Sequence, residues 1–114
     1  MAARVERGRA SLTRLRLKRS LPSMEFEWDD AKSKANYAGR GFGFDFAALI
    51  FEGPTLEAPD LRTDYGERRI QAIGEAEGFV LVVVYTDRPP VRRIISARLA
   101  NRKERALWQA FASR

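Results

Sequence analysis

Polar and apolar positions alternate over Met24-Glu25-Phe26-Glu27-Trp28, the two-residue period of a short strand. Asp29 follows as a helix N-cap. Trp28, Ala31, Ala35 and Ala38 then recur at helical spacing until Gly39 supplies a stop, which predicts a first helix. Beyond the loop Gly39-Arg40-Gly41-Phe42-Gly43, Asp45 is placed to cap a second, short helix. Its Phe46, Ala47, Leu49, Ile50 and Phe51 are nearly all apolar, so it is expected to be largely buried before Gly53-Pro54 ends it. Thr55 to Gly66 turns loop-like, with Thr55-Leu56-Glu57-Ala58 as an added edge strand. Arg68 to Ile73 and Phe79 to Thr86 read as two strands joined by the glycine-bounded loop Gly74 to Gly78. The second is apolar at every position from Phe79 to Tyr85, the mark of a central strand covered on both faces. Asp87-Arg88-Pro89-Pro90 turns into a third strand, Val91 to Ala97, completing an antiparallel meander. Asn101 with Glu104 has capping-box spacing, and Leu107, Trp108 and Phe111 give the last helix an apolar stripe suited to packing on the sheet. The expected class is α+β: a small antiparallel sheet with two N-terminal helices and one C-terminal helix packed on it.

Length and charge refine this picture. At 114 residues with 45% apolar content, the chain can build one small core. Its net charge of +6 lies entirely in residues 1–23, which hold seven cations against one acid. We therefore expect a basic, disordered extension over 1–23 and a folded domain over 24–114, with Met24 as an alternative start. The remainder is neutral but polarised: three cations and eight acids from Met24 to Asp60, eleven and six from Leu61 to Arg114. No run of 18 apolar residues exists, so no transmembrane helix and no membrane partner are expected. The N-terminal leucines are interrupted by cations, against a secretory signal. The lack of cysteine is compatible with a reducing cytoplasm.

Chemistry is bounded by what is missing. Without histidine or cysteine there is no imidazole acid–base pair, no thiol nucleophile and no Cys/His zinc site, so catalysis rests on Arg, Lys, Glu, Asp, Tyr and Ser. No cofactor or metal is expected. Six cations fall between Arg92 and Arg105, where a strand runs almost directly into a helix, and their natural partner is a phosphate backbone. Strict alternation puts Arg92, Ile94, Ser96 and Arg98 on one face and Val91, Arg93, Ile95 and Ala97 on the other. An arginine among Val, Ile and Ala needs an anion, either an internal acid such as Glu67 or a phosphate. Arg102 and Lys103 occupy a first helical turn that disfavours cations, unless a polyanion approaches it beside Arg98 and Arg105. Glu67 is the candidate general base, Arg68 a charge stabiliser, and Lys32 a second proton-transfer candidate. For Glu67 and Arg68 a solvated surface ion pair is the alternative. Trp28, Tyr65 and Tyr85 are possible base-stacking platforms, with core packing the favoured reading for Trp28.

The ordered blocks Phe26-Glu27-Trp28-Asp29-Asp30-Ala31-Lys32 with Ala35-Asn36, Gly66-Glu67-Arg68-Arg69, Val82-Val83-Val84-Tyr85-Thr86, and Arg93-Ile94-Ile95-Ser96-Ala97-Arg98 with Ala100 and Glu104-Arg105 resemble the BrnT toxins of type II toxin–antitoxin systems. The resemblance covers about residues 24 to 113. It implies a RelE-like fold and a metal-independent ribonuclease that arrests translation by cutting RNA. It also implies a BrnA-type antitoxin, encoded next door, whose DNA-binding domain gives the complex its only link to DNA. Carried over by position, Lys32, Glu67, Arg68, Arg93, Ser96 and Arg98 are the catalytic candidates, with Arg40, Arg92, Arg102, Lys103 and Arg105 as RNA contacts. One departure stands out: where the family has Lys-His-Gly and then a Ser-Phe pair, this chain has Gly39-Arg40-Gly41 and Gly43-Phe44. A guanidinium stays protonated and does not replace an imidazole as a base. The alternatives are therefore a weakened or inactive module that binds RNA or antitoxin, and a plain RNA-binding protein.

Overall fold

A computed structural model of the chain describes residues 16–19, 24–62 and 66–113. Its elements are β1 (Arg16–Arg19), β2 (Glu25–Trp28), α1 (Asp30–Arg40), α2 (Phe44–Ala47) running into a 3-10 turn (Ala48–Glu52), β3 (Pro54–Pro59), β4 (Ile70–Ala76), β5 (Phe79–Arg88), β6 (Val91–Leu99) and α3 (Arg102–Ala112). Six strands form one sheet in the order β1-β3-β4-β5-β6-β2.

The expected meander of β4, β5 and β6 is present and antiparallel. The sheet as a whole is mixed, because β2 lies parallel to β6, with Phe26 opposite Arg92 and Trp28 opposite Ile94. Most of the domain separates these two strands, so no hairpin dictates their direction. β3 is an interior strand rather than an edge: Arg16–Arg19, from the segment expected to be an extension, pairs along its outer side. The expected loop between β4 and β5 shrinks to Glu77-Gly78. Both have positive φ (50° and 87°), as a two-residue hairpin turn matched to strand twist requires. Gly74 is thereby drawn into β4, where a Cβ would sit 2.8 Å from the Ile50 Cβ.

Burial on both faces keeps β5 central. Phe26, Phe44, Phe51, Leu81, Val83, Tyr85 and Ile94 belong to one cluster. Leu56, Ile73, Val82, Ala100 and Trp108 form the other, with Leu107 and Phe111 packed on it as the apolar stripe of α3 predicts. Asn101 and Glu104 close the capping box reciprocally, at 2.8 and 2.9 Å.

Helix α1 departs from its expected alanine stripe. Its buried residues are Ser33 and Asn36, which tie down the following loop: the Phe44 N–H donates to Ser33 Oγ and the Asn36 amide to the Phe42 carbonyl, both at 2.9 Å. Asp29 caps the helix as expected, accepting from the Ala31 and Lys32 amides. The stop comes at Gly41 (φ 90°), two residues past the predicted Gly39. α2 begins at Phe44 without a side-chain cap, so Asp45 does not serve as one. No described helix is long and apolar enough to cross a membrane.

Candidate active site and nucleic-acid interface

A register shift sets the face that each side chain of β6 occupies. Val84 stands opposite Ser96 but Tyr85 stands opposite Ile94, leaving Ile95 as an extra residue, a β-bulge. Strict alternation fails there. Arg92, Ile94 and Ala97 are buried on one side, whereas Arg93, Ser96 and Arg98 share the other and are only half covered. The bulge thus gathers three of the predicted catalytic residues onto one sheet face and removes Arg92 from them.

Arg92 is 1% exposed, bonded to Asp87 at 2.9 and 3.2 Å, and stacked 3.8 Å from the centre of the Tyr85 ring. It is a core residue and does not meet solvent-borne RNA. Tyr85 is buried as well; its hydroxyl donates to Glu57 at 2.7 Å, so neither it nor core-packed Trp28 offers a stacking platform. Tyr65 lies outside the described residues.

The other arginines of β6 each have an acid of their own. Arg93 pairs with Glu27 on the adjacent strand at 3.2 Å, both side chains more than a third exposed. Arg98 makes a fork of two bonds to Glu104, at 2.7 and 2.8 Å. These bonds hold the Glu104 carboxyl below its ordinary range, against the opposing effect of burial and with help from the Asn101 N–H. Among the described residues the guanidiniums of β6 therefore do not converge on one carboxylate: Arg92, Arg93 and Arg98 pair with Asp87, Glu27 and Glu104.

Glu67 accepts from Arg69 at 3.1 Å and Arg88 at 3.2 Å. Partial burial raises its pKa, but the two guanidiniums outweigh that and leave it lowered, a poor basicity for proton abstraction. Its ion pair with Arg88, at the far end of β5 from Val84, the partner of Ser96, places it away from Ser96. Arg68, exposed, belongs to the same distant corner, its carbonyl bonded by Thr86.

A different subset does meet. β2 ends opposite Ile94, so beyond that point β6 has no strand on its outer side, and the C-terminal turn of α1 takes the place. Arg40 Nη1 donates to the Ala97 carbonyl at 2.8 Å and to Asn36 Oδ1 at 3.0 Å. Between α1 and the strand lies a groove of about 410 Å³ lined by Lys32, Asn36, Arg40, Phe44, Ile95 and Ser96, among others. Lys32 and Arg40 have no acidic partner among the described residues, so the groove carries uncompensated positive charge. Asn36, which fixes Arg40, was not singled out by the sequence reading. Its signal was a weak helix former placed mid-helix, four residues before an arginine.

On α3, Arg102 and Lys103 are exposed and without an acidic partner among the described residues. Arg105 is turned back to the Ala100 carbonyl at 2.9 Å. No three His, Cys, Asp or Glu side chains among the described residues group as metal ligands do.

A family model described as a ribonuclease toxin, BrnT, of a type II toxin–antitoxin system matches residues 28–104. The chain belongs to the BrnT family. The matched span starts at Trp28, which leads into α1, and ends at Glu104, the partner of Arg98, so it encloses the groove, the bulge and Glu67. No curated protein matches the chain. Membership of the BrnT family makes this a type II ribonuclease toxin by descent, and such a toxin has a protein antitoxin as partner.

Proposed function

We propose that the chain cleaves RNA at the groove between α1 and β6, by attack of a 2′-hydroxyl on the adjacent phosphorus, without a metal. The observation that carries this reading is the meeting of Lys32, Arg40 and Ser96 in a concave site whose two cations have no acidic partner among the described residues. Arg40, its position fixed by Asn36 and Ala97, and the Ser96 hydroxyl hold the phosphate. The Lys32 amine takes the 2′-hydroxyl proton while the departing 5′-oxygen gains one from water, giving a 2′,3′-cyclic phosphate. Arg93, in a half-exposed ion pair of the kind worth about 0–1 kcal/mol, is free to exchange Glu27 for a neighbouring phosphate. Arg98, held in its fork, and Glu67 and Arg68 serve the fold or the wider RNA surface rather than the chemistry. The family supports the rest of the reading: a RelE-like architecture, a cytoplasmic toxin that arrests translation, and a BrnA-type antitoxin that keeps it silent.

Purified chain is expected to cut RNA in EDTA and to spare a strand carrying 2′-deoxyribose at the scissile position. Arg40→Ala is expected to slow cleavage by about 100-fold, as for loss of one charge-stabilising donor. Lys32→Arg keeps the charge but displaces the amine that takes the proton, and is likewise expected to slow cleavage by about 100-fold. Full activity in both variants would overturn the site.

A second reading, a module that binds RNA or antitoxin without cutting, is favoured by the identity of Arg40 at the family's histidine position. Arg40→His separates the two. A gain of about 100-fold with a pKa near 6.5 means that the native chain lacks its acid–base group, and cleavage by the native chain itself excludes the binding-only reading.

A further inference from the structure

Beside the charged groove lies a second concavity of about 440 Å³, and Arg40 lines both. Its walls are mostly hydrocarbon: Tyr37 from α1, Phe46 from α2, Phe79 at the start of β5 and Leu99 at the end of β6. Tyr37, Phe79 and Leu99 are 66%, 56% and 52% exposed, three of the four large exposed apolar residues among those described. Phe46 meets Phe79 edge-on at 6.3 Å and Phe42 at 5.8 Å, so the floor is a built aromatic cluster. Exposed apolar surface concentrated in this way marks a binding site for a macromolecule.

We propose that this groove seats the antitoxin, through a protein segment with an aliphatic or aromatic anchor followed by a carboxylate. The anchor fills the space between Phe79 and Leu99. The carboxylate reaches Arg40 and Lys32 next door, cations without an acidic partner among the described residues. The occupant is protein rather than RNA because the lining gives a nucleotide few hydrogen-bonding groups, and its one acid, Asp45, repels phosphate. A segment seated here also runs across the neighbouring groove and closes it, so that binding and silencing are one event. This inference rests on the toxin–antitoxin reading above.

The test uses the full chain with the product of the adjacent reading frame, co-expressed and purified. Phe79→Ser with Leu99→Ser, both at exposed positions, is expected to raise the Kd of the complex at least 10-fold while leaving RNA cleavage by the free chain unchanged. In the native complex, hydrogen exchange should slow at residues 37–46 and at the ends of β5 and β6. A complex of unchanged affinity overturns this proposal alone. Loss of RNA cleavage in the double variant with intact antitoxin binding also overturns it, assigning the groove to the substrate. If the native chain forms no complex with that product, the toxin–antitoxin reading fails and takes the proposal with it.

Discussion

Arg92 stacks over Tyr85 and Phe51 while bound to Asp87, and so buries a full charge in the core beside Glu57, itself 1% exposed and accepting from Thr55 and Tyr85. Burial raises the Tyr85 pKa, with the Glu57 carboxylate adding to the effect, which keeps the hydroxyl a donor. Removing one member of such a set strands the others. Arg92→Ala is expected to destabilise the fold by about 3–5 kcal/mol, read by urea denaturation, and without direct effect on residual cleavage by the folded fraction. Nothing in the local sequence separates Arg92 from Arg93, since both are arginines in an apolar strand. The need for an anionic partner was legible, but the identity of each partner depends on strands brought together only by the fold. Three carboxyls titrate low because arginines hold them: Asp60 through Arg62, Glu104 through Arg98, and Glu67, where Arg69 and Arg88 override partial burial. A lowered folded-state pKa stabilises fully above the ordinary carboxylate range and is lost as pH falls through the lowered values. Stability should therefore drop below about pH 4, and Glu104→Gln should flatten part of that drop in thermal melts across pH 2–7.

At the scale of elements, the local signals were dependable where one residue does one job. The Asp29 cap, the capping box of α3, the buried run of β5 and the stripe around Trp108 all follow from periodicity and end chemistry. What escaped was length and pairing. The β4–β5 loop tightened to two residues because Glu77 accepts a positive φ, and the faces of β6 were reassigned by one unpaired residue. The start of α3 is also coupled to the sheet, since Glu104 answers both the Asn101 amide and the Arg98 fork. Asn101→Ala should cost about 1 kcal/mol, but the double variant with Arg98→Ala should cost less than the two single changes added together. A double-mutant cycle by denaturation measures that coupling, and strict additivity would deny it.

For the molecule as a whole, charge is distributed by face more than by half of the chain. Glu27, from the acidic half, crosses over to neutralise Arg93, which the sequence places far away, whereas Asp60 pairs with neighbouring Arg62. The cations left without an acidic partner among the described residues include Lys32 and Arg40 at the groove and Arg102 and Lys103 on α3. If the latter pair contacts phosphates, replacing both by alanine should weaken RNA binding by a similar factor for all sequences. It should also lower the slope of log K against log salt by about 1.4, as for two contacts to a single strand, in a fluorescence titration. The α+β class and the meander were visible in the sequence. The mixed sheet and the groove were not, because both arise where α1 and β2 meet a strand more than fifty residues away. The supernumerary Ile95 carries an evolutionary corollary. Side-chain exchanges along this strand alter its chemistry while leaving its orientation intact, and excising Ile95 would merely restore plain alternation with Ser96 and Arg98 still outward; straightening the strand with Ile95 retained is what would send them inward. The chemistry of this strand thus depends on where its spare residue is absorbed as much as on which side chains it carries.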